Sequence, residues 1–284
     1  MMLSIGETVT RTLTLTQAQF DRFAALSGDD NPIHVDPAFA ARTRFGRTVA
    51  HGMFLYANIH RALGEQWPGA IGVRQELVFS APTYADEPVE LRLAAREPIG
   101  QTLVGVDAEV AKSDGRLGCQ AGATVQLIPL FISAAPLDLP SDTSGDGWRG
   151  LAVGQSVALR RAYSAADLDE YVDLLGETNP LHVDAAFAHR AGLRGRLLPG
   201  PLLGALFSCL LGTELPGRGT NWLKQRLIIR RHVYPGDELE ARVEITRLRP
   251  DKELVNLRTW ITRPDGAVAC DGEALVWAGD LERG

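Results

Sequence analysis

The chain has 284 residues, 45% of them hydrophobic, and a formal net charge of −6, enough for one large domain or two ordinary ones with real cores. Its lysines and arginines are scattered without a basic run, which argues against a nucleic-acid partner held through phosphates, and no apolar stretch reaches the roughly 20 residues of a membrane helix. Cys119, Cys209 and Cys270 are too few for a disulfide framework and lack metal-site spacing; with no signal-like start, a cytoplasmic protein is expected.

Along the chain, Thr16 caps a short amphipathic helix with Phe20, Phe23 and Ala24 at helical spacing. The segment SGDDNPIHVD (27–36) follows, then "MFLYANIHRALG" (53–64), apolar on nearly every face and therefore a buried core helix. VELRLAA (89–95) and LVGVDAEVAKSDG (103–115) alternate as strands do, with an Asp-Gly turn before the last strand.

The same order then repeats. Gly6 matches Gly154, the NP-x-HVD core aligns without a gap, and Gly52 matches Gly200, all 148 residues apart. Farther on, Gln75 matches Gln225 at an offset of 150, and Cys119 matches Cys270 at 151. Small drifts of this kind come from loop-length changes, so the chain is two copies of one unit. The expected division is 1–130, a surface linker at 131–149 rich in Pro, Ser, Asp and Gly, and 150–284. In the second copy Ser164 caps the first helix, LLGALFSCLLG (202–212) is the buried one, and strands follow at 239–248 and 254–266. Helical parts ahead of an antiparallel sheet predict an α+β unit in which the sheet wraps one buried helix.

The segment GDDNP is by itself turn chemistry, with Asn or Asp capping the backbone and Pro fixing the chain. A turn does not need the histidine. Yet an acid precedes a histidine by five residues in both copies, Asp29 before His34 and Glu177 before His182, with a rigid Asn31-Pro32 or Asn179-Pro180 between them. Two titratable groups on one stiff loop form an acid–base pair. Asp36 and Asp184 read instead as helix N-caps.

The string SGDDNPIHVDPAFA followed by AHGM resembles the hydratase motif of the MaoC-like, (R)-specific enoyl-CoA hydratase family, and both copies carry the resemblance through nearly their full length. The resemblance implies a double hotdog: two units in one chain, each an antiparallel sheet around a long central helix, paired as single-unit relatives pair into homodimers. Assembly into a further homodimer stays open. The implied activity is reversible hydration of 2-enoyl thioesters to (3R)-3-hydroxyacyl thioesters, on coenzyme A or acyl carrier protein, without metal or organic cofactor. Carried over residue by residue, Asp29 and His34 hold and activate the water, Asn31 supports the loop, and the Gly52 N–H faces the thioester oxygen; His51 shapes the helix entry.

That assignment fits the chemistry. Hydration needs a base for water, a proton for C2, and a donor to the carbonyl oxygen as enolate charge develops; Gly52 opens a buried helix whose free N–H and dipole point there. The second copy departs from the pattern. Glu177 is one methylene longer than Asp29, and LPGP replaces AHGM around Gly200. The first copy is therefore expected to be catalytic, while Glu177, Asn179, His182 and Gly200 form either a second site or a degenerate partner. Arg226, Arg230 and Arg231 read as a solvated strand face or as contacts to carrier phosphates. MFLY at 53–56 is expected to shorten the acyl tunnel. Two other readings stand beside the enzyme: a non-catalytic acyl-thioester-binding or accessory subunit, and a thioesterase on the same scaffold.

Overall fold

The structure, a computed structural model, describes residues 5–99, 101–127 and 147–281; most of the expected linker at 131–149 lies outside them. The first unit runs β1 (Thr8–Thr14), α1 (Gln17–Ser27), α2 (Pro32–Val35), α3 (Pro37–Ala41), α4 (Gly52–Gln66), β2 (Ile71–Val78), β3 (Pro88–Ile99), β4 (Leu103–Lys112) and β5 (Leu117–Gln126). The second repeats the order: β6 (Ser156–Arg161), α5 (Ala165–Leu175), α6 (Pro180–Val183), α7 (Ala185–Arg190), α8 (Gly200–Thr213), β7 (Asn221–Ile229), β8 (Leu239–Arg249), β9 (Leu254–Thr262) and β10 (Val268–Trp277).

Local signals place the helices. Thr16 and Ser164 each form a capping box, with Gln19 and Asp167 respectively. Gly28 and Gly176 end α1 and α5 in the left-handed conformation, φ 79° and 63°, where glycine carries no Cβ penalty, and this turns the chain sharply into the motif. Asn31 and Asn179 then cap α2 and α6, and Asp36 and Asp184 cap α3 and α7, each through its side-chain oxygen. Two successive caps leave each motif loop little freedom. Helices α4 and α8 are buried along nearly their whole length, as their lack of a polar face requires.

The strands form one ten-stranded antiparallel sheet in the order β1-β3-β4-β5-β2-β7-β10-β9-β8-β6. The units join where β2 meets β7, with Glu76 directly opposite Arg226, and α4 packs against α8 beneath the seam. Because those two helices share one core, each unit's motif loop lies beside the other unit's central helix. Position for position the two halves mirror one another: His34 Nδ1 lies 2.8 Å from Val49 O, and His182 Nδ1 lies 2.8 Å from Leu197 O.

Candidate active site

Asp29, Asn31, His34 and Gly52 line one cavity of about 460 Å³. Its opposite wall comes from the second unit, with Ser208, Leu211 and Gly212 of α8 and the start of β7 at Trp222. Asp29 is 1% exposed and His34 7%. A carbonyl only accepts, so the His34 Nδ1 beside Val49 O carries the proton, and Nε2 is left with its lone pair. The His51 ring stacks on His34 with centroids 3.8 Å apart and places Nε2 3.0 Å from the Asp29 carbonyl oxygen. It therefore braces the acid's backbone and the histidine's plane together, a more specific part than shaping the helix entry.

The Asp29 carboxylate receives a hydrogen bond from Ser208 Oγ at 2.5 Å and another from the Asn31 N–H at 3.3 Å. Burial raises the Asp29 pKa above the ordinary carboxylate value, against the opposing pull of His34, Ser208 and the Asn31 N–H. Burial likewise lowers that of His34, opposed by Asp29 and Val49. The proton affinities of an acid and a base are thereby drawn together, which suits passing one proton between them. Gly52 N–H lies in the first turn of α4, where a helix offers no internal acceptor. The Phe79 ring stands 2.8 Å from where a Cβ on Gly52 would be, so glycine is needed for this close approach.

The second unit repeats the constellation in a closed setting. Glu177 Oε1 accepts from the Thr178 and Asn179 N–H groups, both at 2.9 Å, and Asn179 reaches across to Ala70 O at 2.9 Å. His60, from α4 of the first unit, puts Nδ1 3.5 Å from Glu177 Oε2. Burial pushes Glu177 up, but the contact with His60 and the charges of His182 and His60 outweigh it and hold the acid at about 2; burial takes His182 down to about 4. Here the acid is a fixed anion and the histidine a neutral ring. The cavity beside His182 and Gly200 measures about 20 Å³, room for about one water.

Both clusters contain donor types able to hold a divalent ion, Asp29, His34 and His51 in one and His60, Glu177 and His182 in the other. In the first, His51 Nε2 and one Asp29 oxygen are already engaged with protein partners. The arginines read as a strand face or as carrier-phosphate contacts lie on β7 and just past it. Arg230 is buried in a two-pronged pair with Asp271 at 2.8 and 3.1 Å, Arg226 lies at the seam near Glu76, and Arg231 borders the small cavity. The large cavity is instead bordered by Arg44, over the Trp277 ring at 4.1 Å, and by Arg116. Motif reading did not reveal Ser208, Gly212 or His60, since each serves the opposite unit; only the alignment of Ser208 with His60 hints at them.

Two sheet-wrapped helices joined back to back in one chain define a double hotdog protein with an acid–histidine loop in each half. The chain matches the family described as "MaoC like domain" over residues 3–112 and 151–261, and belongs to that family. It is 42% identical over 128 residues to the (R)-specific enoyl-CoA hydratase of Aeromonas caviae, covering 45% of this chain and 96% of that one. It is also 35% identical over 126 residues to the 3-hydroxybutyryl-CoA dehydratase of Methylorubrum extorquens, covering 44% and 80%. These relatives are hydro-lyases, and the chain is an enzyme of their class. Among solved structures, a MaoC-like dehydratase superposes with a TM-score of 0.76 at 16% identity over 97% of this chain and 98% of that one. A Mycobacterium tuberculosis protein described as having a double hotdog fold gives 0.73 at 16% identity over 97% and 96%. No helix among the described residues is long and apolar enough to cross a membrane.

Proposed function

We propose that the first pocket hydrates 2-enoyl thioesters to (3R)-3-hydroxyacyl thioesters, and runs the reverse dehydration, while the second pocket is idle. One observation carries this reading: Asp29, Asn31, His34 and Gly52 all line a cavity of about 460 Å³ in the first unit, whereas in the second only His182 and Gly200 of the matching set border one, of about 20 Å³. Asp29 and His34 grip one water; the pair takes its proton as the hydroxyl adds to C3, and returns a proton to C2. The Gly52 N–H and the α4 dipole stabilise the enolate oxygen between those events. Asn31 fixes the loop, since its side chain caps α2 and its N–H holds Asp29. Arg44 and Arg116 are placed to meet the phosphates of coenzyme A or of a carrier's phosphopantetheine.

The test is loss of enoyl-thioester absorbance with crotonyl-CoA. Wild type and His182→Ala are expected to be active, and folded His34→Ala to fall by at least the 10²-fold typical of a lost acid–base group. Equal partial losses in the two variants would show two working sites. Hydrolysis to the free acid would show a thioesterase, and silence across a panel of enoyl thioesters would leave the accessory-subunit reading.

A further inference from the structure

We propose that the second pocket is a latent acyl-thioester site, complete in its acid, amide, histidine and glycine, and shut from the other unit by Tyr56 and His60. The ligand class rests on the reading of the first pocket given above. Tyr56 and His60 lie one turn apart on α4, so both side chains leave the same face of that helix. The Tyr56 hydroxyl sits 3.5 Å from the place a Cβ on Gly200 would take and 3.8 Å from that of Gly72. The hydroxyl thus lies between Gly200 in the first turn of α8 and Gly72, two residues that line the small cavity. His60 fills the space between the acid and the histidine, with Nδ1 3.5 Å from Glu177 Oε2 and its ring centroid 5.3 Å from that of His182.

The repeat supplies an internal control. At an offset of 148, the mate of Tyr56 is Gly204 and the mate of His60 is Ser208. Ser208 lines the open pocket and donates to Asp29, while Gly204 lies against Met53 of α4. Leu198 in place of Ala50 also narrows the second mouth, but the two groups that reach the reacting centre both come from α4. Tyr56 is fully buried, and its hydroxyl has no hydrogen-bond partner among the described residues. Nothing in its polarity suits it to that place; its bulk does.

The experiment counts butyryl-CoA, a saturated acyl thioester that cannot be hydrated, bound per full-length chain by titration calorimetry. Wild type is expected to bind one, and the double variant Tyr56→Gly/His60→Ser, which copies the α8 residues onto α4, to bind two. One ligand per chain in the folded double variant would overturn the proposal, as would two in wild type, because the pocket would then not be shut. No binding to wild type at any concentration would instead sink the acyl-thioester reading of the first pocket, and with it the ligand proposed for the second. If the Gly/Ser double variant fails to fold, Tyr56→Ala/His60→Ala is titrated in its place with the same expected counts, and Tyr56→Phe, which keeps both side chains' bulk, should remain at one.

Discussion

Replacing Ser208 by alanine removes a hydroxyl 179 residues away in sequence from the acid it serves. The lost bond is the 2.5 Å contact from Ser208 Oγ to Asp29 Oδ2, made to a carboxylate that is 1% exposed. Hydrogen bonds to charged groups contribute about 1.5–3 kcal/mol. If that stabilisation bears on an ionised Asp29 in the water-holding role proposed for it, kcat/KM falls about 10- to 100-fold. The sign on pH follows from the same contact. Ser208 lowers the Asp29 pKa against the upward push of burial, so its removal lets the pKa rise and moves the acid limb of the kcat/KM profile to higher pH. The assay is crotonyl-CoA hydration followed from pH 5 to 9, with Ser208→Thr as the variant that restores a hydroxyl. A folded Ser208→Ala enzyme with kcat/KM within twofold of wild type and an unmoved acid limb would refute the coupling of the second unit's helix to the first unit's acid.

Gly212→Ala tests position without touching charge: a Cβ there would come within 2.8 Å of Asp29 Oδ1 and 3.1 Å of Asn31 Cβ. Since the capped loop can yield only by moving, and a displacement of about 1 Å can cost about 10²-fold, kcat is expected to fall by that order with thermal unfolding little changed; unchanged kcat would show that the loop has slack. The closed site should also make the protein acid-labile. Unfolded, His182 binds a proton near 6.5 and Glu177 near 4.5; folded, they do so only at about 4 and about 2. The unfolded chain therefore holds more protons throughout that window, and stability falls as pH falls. The His182 gap alone is worth about 3 kcal/mol by pH 4. Urea unfolding at pH 7, 5 and 4 should show a loss in wild type, to which the buried His34 and His51, also held below the ordinary imidazole value, add their share, and in His182→Gln a loss smaller by about the His182 part; equal losses would rule out His182 as a source.

What could be read in advance is what the chain writes locally. The caps at Thr16, Ser164, Asp36 and Asp184, the two greasy helices and the duplicated acid–amide–histidine loop all depend on residues within a few positions of one another, and the repeat displays each of them twice. Strands β1 and β6 escape such a reading because, as edge strands, they alternate between exposed and half-buried positions without a buried face. Everything that crosses between units escapes it as well. Ser208, Gly212 and His60 look like filler within their own helices, and their importance lies in the loop they face. Arg230, just past β7, escapes for the same reason: it finds Asp271 on β10, 41 residues on, a pairing no local pattern announces.

The duplication also explains how one pocket came to be closed while the other stayed open. In a twofold dimer of identical units, a residue on the axis meets its own copy, so a charge there meets a like charge. In this chain two repeat positions meet their mates with opposite charges. Arg22 of α1 pairs with Glu170 of α5 at 2.8 Å, and Glu76 of β2 lies opposite Arg226 of β7. A first unit facing another first unit would set Arg22 against Arg22 and Glu76 against Glu76, so this arrangement favours pairing within the chain. The same independence governs the pockets. The acid–histidine loop of each site is written in one unit and its far wall in the other, on α8 for the open site and on α4 for the closed one. His60 can therefore fill the second pocket while Ser208, its mate, leaves the first one clear. A homodimer cannot do this, because one substitution would close both of its sites.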